Sequence, residues 1–172
     1  MIVTVGGPIG SGKTTIAKAL AEKFDLEHIS AGEVFRGMAD EKGMSLAEFS
    51  KFAEEHHELD KEVDKRQVEM AKEGDAVVDG RLSGWMMDAD LKIWLYAPLK
   101  IRAARVANRE GKSYETALLE TEEREKSEKK RYRMVYGIDM EDISIYDIVL
   151  NTSKWDAEGT IKVISTAFSS YV

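Results

Sequence analysis

Gly7-Pro8-Ile9-Gly10-Ser11-Gly12-Lys13-Thr14-Thr15 lies between an apolar run, Ile2-Val3-Thr4-Val5, and a stretch of helical periodicity from Ile16 to Phe24. The order is strand, glycine loop, helix, and Gly7-x-x-x-x-Gly12-Lys13-Thr14 fits the phosphate-binding pattern G-x-x-x-x-G-K-[ST]. Each residue type has a physical reason to be there. Glycines let successive N–H groups turn inward as an anion nest, at a helix N-terminus where the macrodipole is positive. Lys13 adds a mobile cation for the β- and γ-phosphates, and the Thr14 hydroxyl can take a Mg²⁺ ligand position. Residues 7–15 therefore predict a bound nucleoside triphosphate.

The bulk composition narrows what that nucleotide serves. A chain of 172 residues, 43% hydrophobic and 33% charged with two prolines, has the makeup of one globular domain. Its net charge of −7 argues against a general nucleic-acid binder, which needs a basic surface. With no cysteine, thiolate catalysis, disulfides and Cys-ligated zinc are excluded. No apolar run approaches the ~20 residues of a membrane span, and the N-terminus reads as a strand rather than a signal peptide. A soluble, cytoplasmic monomer is expected, with no nucleic-acid or membrane partner.

Outward from the loop, five apolar strands alternate with helices: Ile2–Val5, Glu27–Ser30, Ala76–Asp79, Asp90–Tyr96 and Asp147–Asn151. That alternation predicts an α/β domain with a mainly parallel sheet. The first helix buries Ile16, Leu20 and Phe24, with Ala17 and Ala21 beside them. A second helix opens at Ser30, and Ser30-x-x-Glu33 reads equally as a capping box. From Ser45 to about Lys72 the chain is helical and polar, capped by Ser45-x-x-Glu48, with Leu46, Phe49, Ala53, Leu59 and Val63 as an interrupted apolar side. Pro98 precedes an arginine-rich helix, Lys100 to Glu110, and Tyr114 to about Tyr132 forms another, highly charged one. Ser153, with Asp156 in the first turn, caps a last helix that buries Ile161, Ile164 and Phe168.

The arginines point to the chemistry. Phosphoryl transfer spreads charge over equatorial oxygens, so catalysis is mainly positioning and electrostatic stabilisation. A phosphate acceptor brings a second dianion to neutralise, and the planar guanidinium fork suits both tasks. Arg36 and Arg81 follow strand ends, where open α/β sheets bind ligands. Arg105 and Arg109 share a helix face, as do Arg124 and Arg131. Arg102 and the lysines read as solvated charge, and so does most of Glu120 to Arg133, where Glu122/Lys126 and Glu125/Lys129 make ordinary i,i+4 pairs.

In this order and spacing the motifs resemble the nucleoside monophosphate kinases, and most closely the short archaeal-type cytidylate kinases. The resemblance covers nearly the whole chain. It is carried by the loop from Gly7 to Thr15, Ser30-x-Gly32-x-x-Phe35-Arg36, Val78-Asp79-Gly80-Arg81-Leu82-Ser83-Gly84-Trp85, Arg124-x-x-Ser127-Glu128-x-x-Arg131-Tyr132 and Tyr146-Asp147-x-Val149-x-Asn151-Thr152-Ser153. It implies a P-loop core with a five-stranded parallel sheet (about 1–30, 73–104 and 132–172), a helical acceptor-binding insert (about 31–72) and a small lid (about 105–131). Gly7, Pro8, Ile9, Gly10, Ser11, Gly12, Lys13, Thr14 and Thr15 would cradle ATP. Arg36 would hold the acceptor's phosphate with help from Gly80 and Arg81, beside Ser30 and Gly32. Arg105, Arg109, Arg124 and Arg131 would close over the transferring group with Lys13. Asp79 would orient Mg²⁺ through water together with Thr14, or is simply a polar strand-end residue. The implied reaction is Mg²⁺-dependent transfer from ATP to CMP or dCMP. Bacterial cytidylate kinases carry an acid after the arginine matching Arg81; here Leu82 stands in its place, so the cytosine must be read by other residues.

Two other classes share parts of this pattern. Ser153-Lys154-Trp155-Asp156 imitates the [NT]-K-x-D element of GTP-hydrolysing switches, but no D-x-x-G follows the Asp79 strand. A non-catalytic nucleotide-binding module would not need the arginines. His56, His57 and Asp60 lack a third metal ligand and read as structural. Trp85, Met86 and Met87 read as packing residues, with Trp85 also a candidate for the acceptor pocket.

Overall fold

The computed structural model describes residues 1–171, apart from the side chains of Leu46, Ala47, Ser50 and Glu54. Its elements are β1 (Ile2–Gly6), α1 (Lys13–Phe24), β2 (Glu27–Ser30), α2 (Ala31–Glu41), α3 (Leu46–Glu55), α4 (Glu58–Ala71), β3 (Ala76–Asp79), α5 (Ser83–Met86), β4 (Leu91–Tyr96), α6 (Leu99–Glu110), α7 (Tyr114–Tyr136), β5 (Ile148–Asn151), a 3₁₀ turn (Thr152–Lys154) and α8 (Ala157–Tyr171). The five strands form one parallel sheet in the order β2-β3-β1-β4-β5. Because all run the same way, Gly6, Ser30, Asp79, Tyr96 and Asn151 end on a single edge. β1 lies between β3 and β4, where the chain changes side, so the glycine loop leaves the sheet at its switch point.

The largely apolar character of the central strands β1 and β3 follows from burial on both faces. On one face Val3, Val5 and Ile93 pack with Ile16 and Leu20 of α1 and with Ile164 and Phe168 of α8. On the other, Ile29 and Val78 meet Val68 and Ala71 of α4 together with Met86 and Met87. Those two methionines are packing residues, as their setting in the sequence predicts. The α2–α4 segment closes around its own cluster of Phe49, Met38, Ala39, Leu59 and Val63.

Several local expectations change. The polar helix expected from Ser45 to Lys72 is two helices, broken at His56–His57, where His56 Nδ1 turns back to the Phe52 carbonyl (2.8 Å). Its capping box forms as expected: Glu48 N–H donates to Ser45 Oγ and Ser45 N–H to Glu48 Oε2. Ser30 stands at the N-cap of α2 but makes no such box; its hydroxyl is turned toward Asp79 instead. The final helix is capped by Asp156, which accepts from Gly159 N–H at 2.7 Å, rather than by Ser153, whose hydroxyl turns to Asn151. Among the described residues no helix is long and apolar enough to cross a membrane.

Candidate active site

The loop is glycine-rich because the surrounding backbone leaves no room. At Gly10, φ is +77°, and a Cβ would lie 2.7 Å from the Arg102 carbonyl oxygen. At Gly7, with φ at +149°, a Cβ would run into the Leu95 carbonyl at the end of β4. Both positions therefore require the one residue without a side chain. α1 starts at Lys13, directly after the loop, so its free N–H groups and positive dipole end face the same space.

Arg102 holds this loop from behind. It is buried, against the expectation of solvated charge. Its Nε donates to the Ala97 carbonyl (2.8 Å), Nη1 to the Ile9 carbonyl (3.1 Å) and Nη2 to Glu125 of α7 (2.8 Å). Helical spacing alone cannot reveal an arginine turned inward onto backbone carbonyls. Arg105 adds a second brace, from Nη1 to the Gly10 carbonyl (3.2 Å) and to Thr152 Oγ1 (2.9 Å). The Thr152 hydroxyl stands in turn 2.9 Å from the Ser11 carbonyl. Arg102→Lys keeps the charge but can satisfy only part of this fork. It is expected to cost about 2 kcal/mol, or roughly 4–8 °C in Tm for a chain of this size, and to raise the KM for ATP severalfold. An unchanged melting curve would show that the loop stands without Arg102.

Inside the loop, Lys13 is half-buried, and its ammonium makes only a long contact to the Pro8 carbonyl (3.5 Å). Burial, then the neighbouring Arg81, pushes its pKa down to about 7, with Arg124 and Arg109 adding to the effect against Asp79. Three guanidinium groups thus act on Lys13 against the single carboxylate of Asp79. Such a field fits a polyphosphate.

Arg81 lies two residues past β3 and is mostly buried, its side chain 12% exposed. It pairs with Glu128 of α7, which also accepts from Arg124 Nε at 3.1 Å. Burial, then the nearby Arg124, lowers the Arg81 guanidinium to about 10. Glu128 is itself buried, so the charge run of α7 is not simply a solvated face. The expected surface pairs Glu122/Lys126 and Glu125/Lys129 do form beside it. Arg131 reaches across to Asp60 of α4 (2.7 Å), and Arg109 is exposed and bound to Glu110 (2.8 Å). Arg36, exposed on α2, has no carboxylate partner among the described residues. The missing side chain of Gly32 opens toward it and toward Ser30: a Cβ there would stand 3.9 Å from Arg36 Nη1 and 3.7 Å from Ser30 Oγ.

Asp79 closes β3 with its carboxylate buried and both oxygens without a hydrogen-bond partner. Burial alone would push it up. The His28 ring and the Thr14 and Ser30 hydroxyls turned toward it outweigh that and hold it below the usual carboxylate range. None makes a full hydrogen bond; His28 Nε2 stands 3.6 Å away. An unsatisfied buried carboxylate is costly, so this one is suited to a cation or to the water around one. Gln67 of α4, fully buried, donates to the Asp79 carbonyl at 3.0 Å, a strand-end brace that its polar neighbours conceal in the sequence.

Two clefts flank the loop. One, of about 410 Å³, lies between Gly12, Thr15, Arg105, Arg109, Thr152 and Trp155. The other, of about 450 Å³, is bounded by Pro8, Ile9, Arg81, Tyr96, Arg102 and Glu128. The structure thus brings the loop, Lys13, Asp79, Arg81, Arg105 and Arg124 together at the strand ends; Arg109 lines the cleft beside the loop while bound to Glu110, and Arg131 is turned to Asp60.

Solved structures share this architecture. A protein from Eubacterium ventriosum superposes with a TM-score of 0.72 at 21% identity over 99% of both chains. Shikimate kinase from Acinetobacter baumannii does so with 0.63 at 16% identity, over 98% of this chain and 93% of that one. Sequence likeness is closer elsewhere. The cytidylate kinase of Pyrococcus horikoshii is 55% identical over 97% of this chain and 88% of its own length. That of Methanocaldococcus jannaschii is 53% identical over 99% and 98%. Residues 2–154 match the cytidylate kinase-like family, and with the phosphate loop and strand-end arginines in place the chain belongs to that family.

Proposed function

We propose that the chain is a (d)CMP kinase, moving the γ-phosphoryl group of ATP to CMP or dCMP and giving ADP and CDP or dCDP. The observation that carries this is the pairing of two anion sites on one sheet edge. The glycine nest with Lys13 forms one, and Arg81 just past β3, with Arg36 beside Gly32 on the helix that follows β2, would supply the cations of the other. Curated relatives about half identical to the chain bear the name cytidylate kinase.

In this reading residues 7–15 hold the triphosphate, and the cleft between Arg105 and Trp155 takes the donor's nucleoside. Arg36, Gly32, Ser30, Gly80 and Arg81 hold the acceptor's phosphate, on the insert of residues 31–72 and the strand edge. The attacking group is an oxygen of that phosphate. With a second pKa of ~6, a monophosphate is largely dianionic at neutral pH and needs no general base. Arg81 and Arg36 bring two negative groups into line and offset their repulsion. The lid region 105–131 lies within the α6–α7 hairpin. When it closes, Arg124, Arg131 and Arg109 can exchange their carboxylate partners for phosphoryl oxygens, and water is excluded as a rival acceptor. Thr14 and, through water, the partnerless oxygens of Asp79 would hold Mg²⁺, which when bound neutralises charge on the β- and γ-oxygens. A monomer acting in the cytoplasm on free nucleotides, with neither nucleic acid nor membrane as partner, completes the reading.

The test is ADP release with ATP, Mg²⁺ and, in turn, CMP, dCMP, UMP, AMP and GMP. Turnover with CMP and dCMP well above the others is expected. Release with water alone would turn the reading to a hydrolase, and none with any acceptor to a binding module. Arg36→Ala is expected to raise the KM for CMP about tenfold or more while leaving that for ATP within about twofold. Equal effects on both would remove Arg36 from the acceptor side.

A further inference from the structure

Gln67, Asp64 and Asp60 share one face of α4, three and four residues apart. One end of that face is fixed at the acceptor side. Gln67 bonds the Asp79 carbonyl, and a Cβ on the next residue, Gly80, would lie 3.0 Å from Gln67 Oε1. Asp64 stands about 5 Å further along the helix axis and Asp60 about 10 Å. Two side chains of α7 reach this face. The Tyr136 hydroxyl donates to Asp64 Oδ2 at 2.7 Å, and Arg131 meets Asp60 at 2.7 Å. Half-buried Tyr132 lies in the field of Arg81, Asp60, Arg131 and Asp64 together. A line of polar groups therefore runs from the acceptor's phosphate, at Gly80 and Arg81, along α4 to Asp64.

We propose that Asp64 reads the acceptor's base, accepting a hydrogen bond from the 4-amino group of cytosine, with Tyr136 as its positioning residue. This rests on the CMP/dCMP reading above. Tyr136 occupies Oδ2 and leaves Oδ1, which has no hydrogen-bond partner among the described residues. Burial raises the carboxyl to about 6, so at neutral pH it is still mostly ionised and purely an acceptor. Cytosine offers a donor at its 4-position and uracil an oxygen. The carboxylate gains a charge-assisted bond with the first and repels the second, and a site left with an unpaired polar group rejects the wrong ligand strongly. Discrimination of this kind does not need an acid at Leu82, whose side chain is buried.

The experiment compares kcat/KM for CMP and UMP in wild type, Asp64→Asn and Tyr136→Phe, with the KM for ATP and a melting curve for each. The asparagine keeps the shape, loses the charge, and can turn an N–H toward the uracil oxygen. The CMP-to-UMP ratio is expected to fall about 10- to 100-fold with the KM for ATP within about twofold. Tyr136→Phe keeps the carboxylate but frees its rotamer, and the ratio should fall severalfold in the same direction. If Asp64→Asn fails to fold, Tyr136→Phe alone decides. A wild type that favours CMP, with the ratio unmoved in the variants, overturns the assignment of Asp64 and leaves the cytidylate reading standing. A wild type without preference for CMP overturns both.

Discussion

Lys13→Ala should leave a folded protein whose turnover is lower by about 10³-fold or more. A preorganised donor aimed at developing charge is worth about 10²–10³, and a cation on the transferring phosphoryl group more. In the free protein this amine has the single carboxylate of Asp79 against burial and three guanidinium groups, which lower its pKa to about 7. A triphosphate would reverse that balance, so ATP binding near pH 8 should take up close to one proton, read by calorimetry in buffers of different ionisation enthalpy. The uptake should vanish in Lys13→Ala. Stability supplies a third readout. The unfolded lysine titrates near 10.5 and the folded one near 7, so between those values the unfolded chain binds more protons and folding gains as pH rises. Below about pH 7 the lysine is charged in both states and the folded one bears the full cost. The alanine variant should therefore melt above wild type at pH 6, by on the order of 1–2 kcal/mol since the amine is half-buried, and the gap should narrow by pH 9. Wild-type-like turnover would remove Lys13 from the donor site.

How much of this was legible in the sequence depends on how local each cause is. The phosphate loop is visible because its constraints act within nine residues: two glycines whose Cβ atoms would meet Arg102 and Leu95, then a helix start. The central strands β1 and β3 are visible because burial on both faces makes them largely apolar, while β2 and β5 at the sheet edges are partly polar or exposed and read as strands only from their place in the alternation. What remained hidden is charge that turns inward. Arg102 lies in an arginine-rich helix and Glu128 in a run of mostly charged residues, and only the tertiary fold tells them from solvated residues. The same is true of Asp60 and Asp64, whose partners Arg131 and Tyr136 lie 71 and 72 residues away. The break between α3 and α4 falls where the apolar spacing is interrupted, between Ala53 and Leu59, and there His56 bonds back to the Phe52 carbonyl; without a proline or glycine to mark it, the polar run reads as one helix.

Arg81→Ala should be the most damaging change on the acceptor side, with kcat/KM for CMP down about 10³-fold and the KM for ATP little altered. The side chain sits within the combined field of Lys13 and Arg124 and leads into the strand end where the acceptor's phosphate is proposed to bind. It also has a structural partner, so loss of activity alone would not identify its role. Glu128 is 6% exposed, and without Arg81 only the largely exposed Arg124 answers it. A buried charge deprived of its partner costs about 3–5 kcal/mol. Relief of the repulsion among Arg81, Arg124 and Lys13 offsets part of that, so a net loss of about 2 kcal/mol, or roughly 4–8 °C, is expected. The double variant Arg81→Ala/Glu128→Gln separates the two effects. Removing the stranded charge should restore most of the melting temperature, while CMP phosphorylation stays as low as in the single variant. If activity returned together with stability, Arg81 would be a partner for Glu128 and nothing more. If the double variant stayed inactive but bound ATP as weakly as CMP, Arg81 would belong to the donor half of the site.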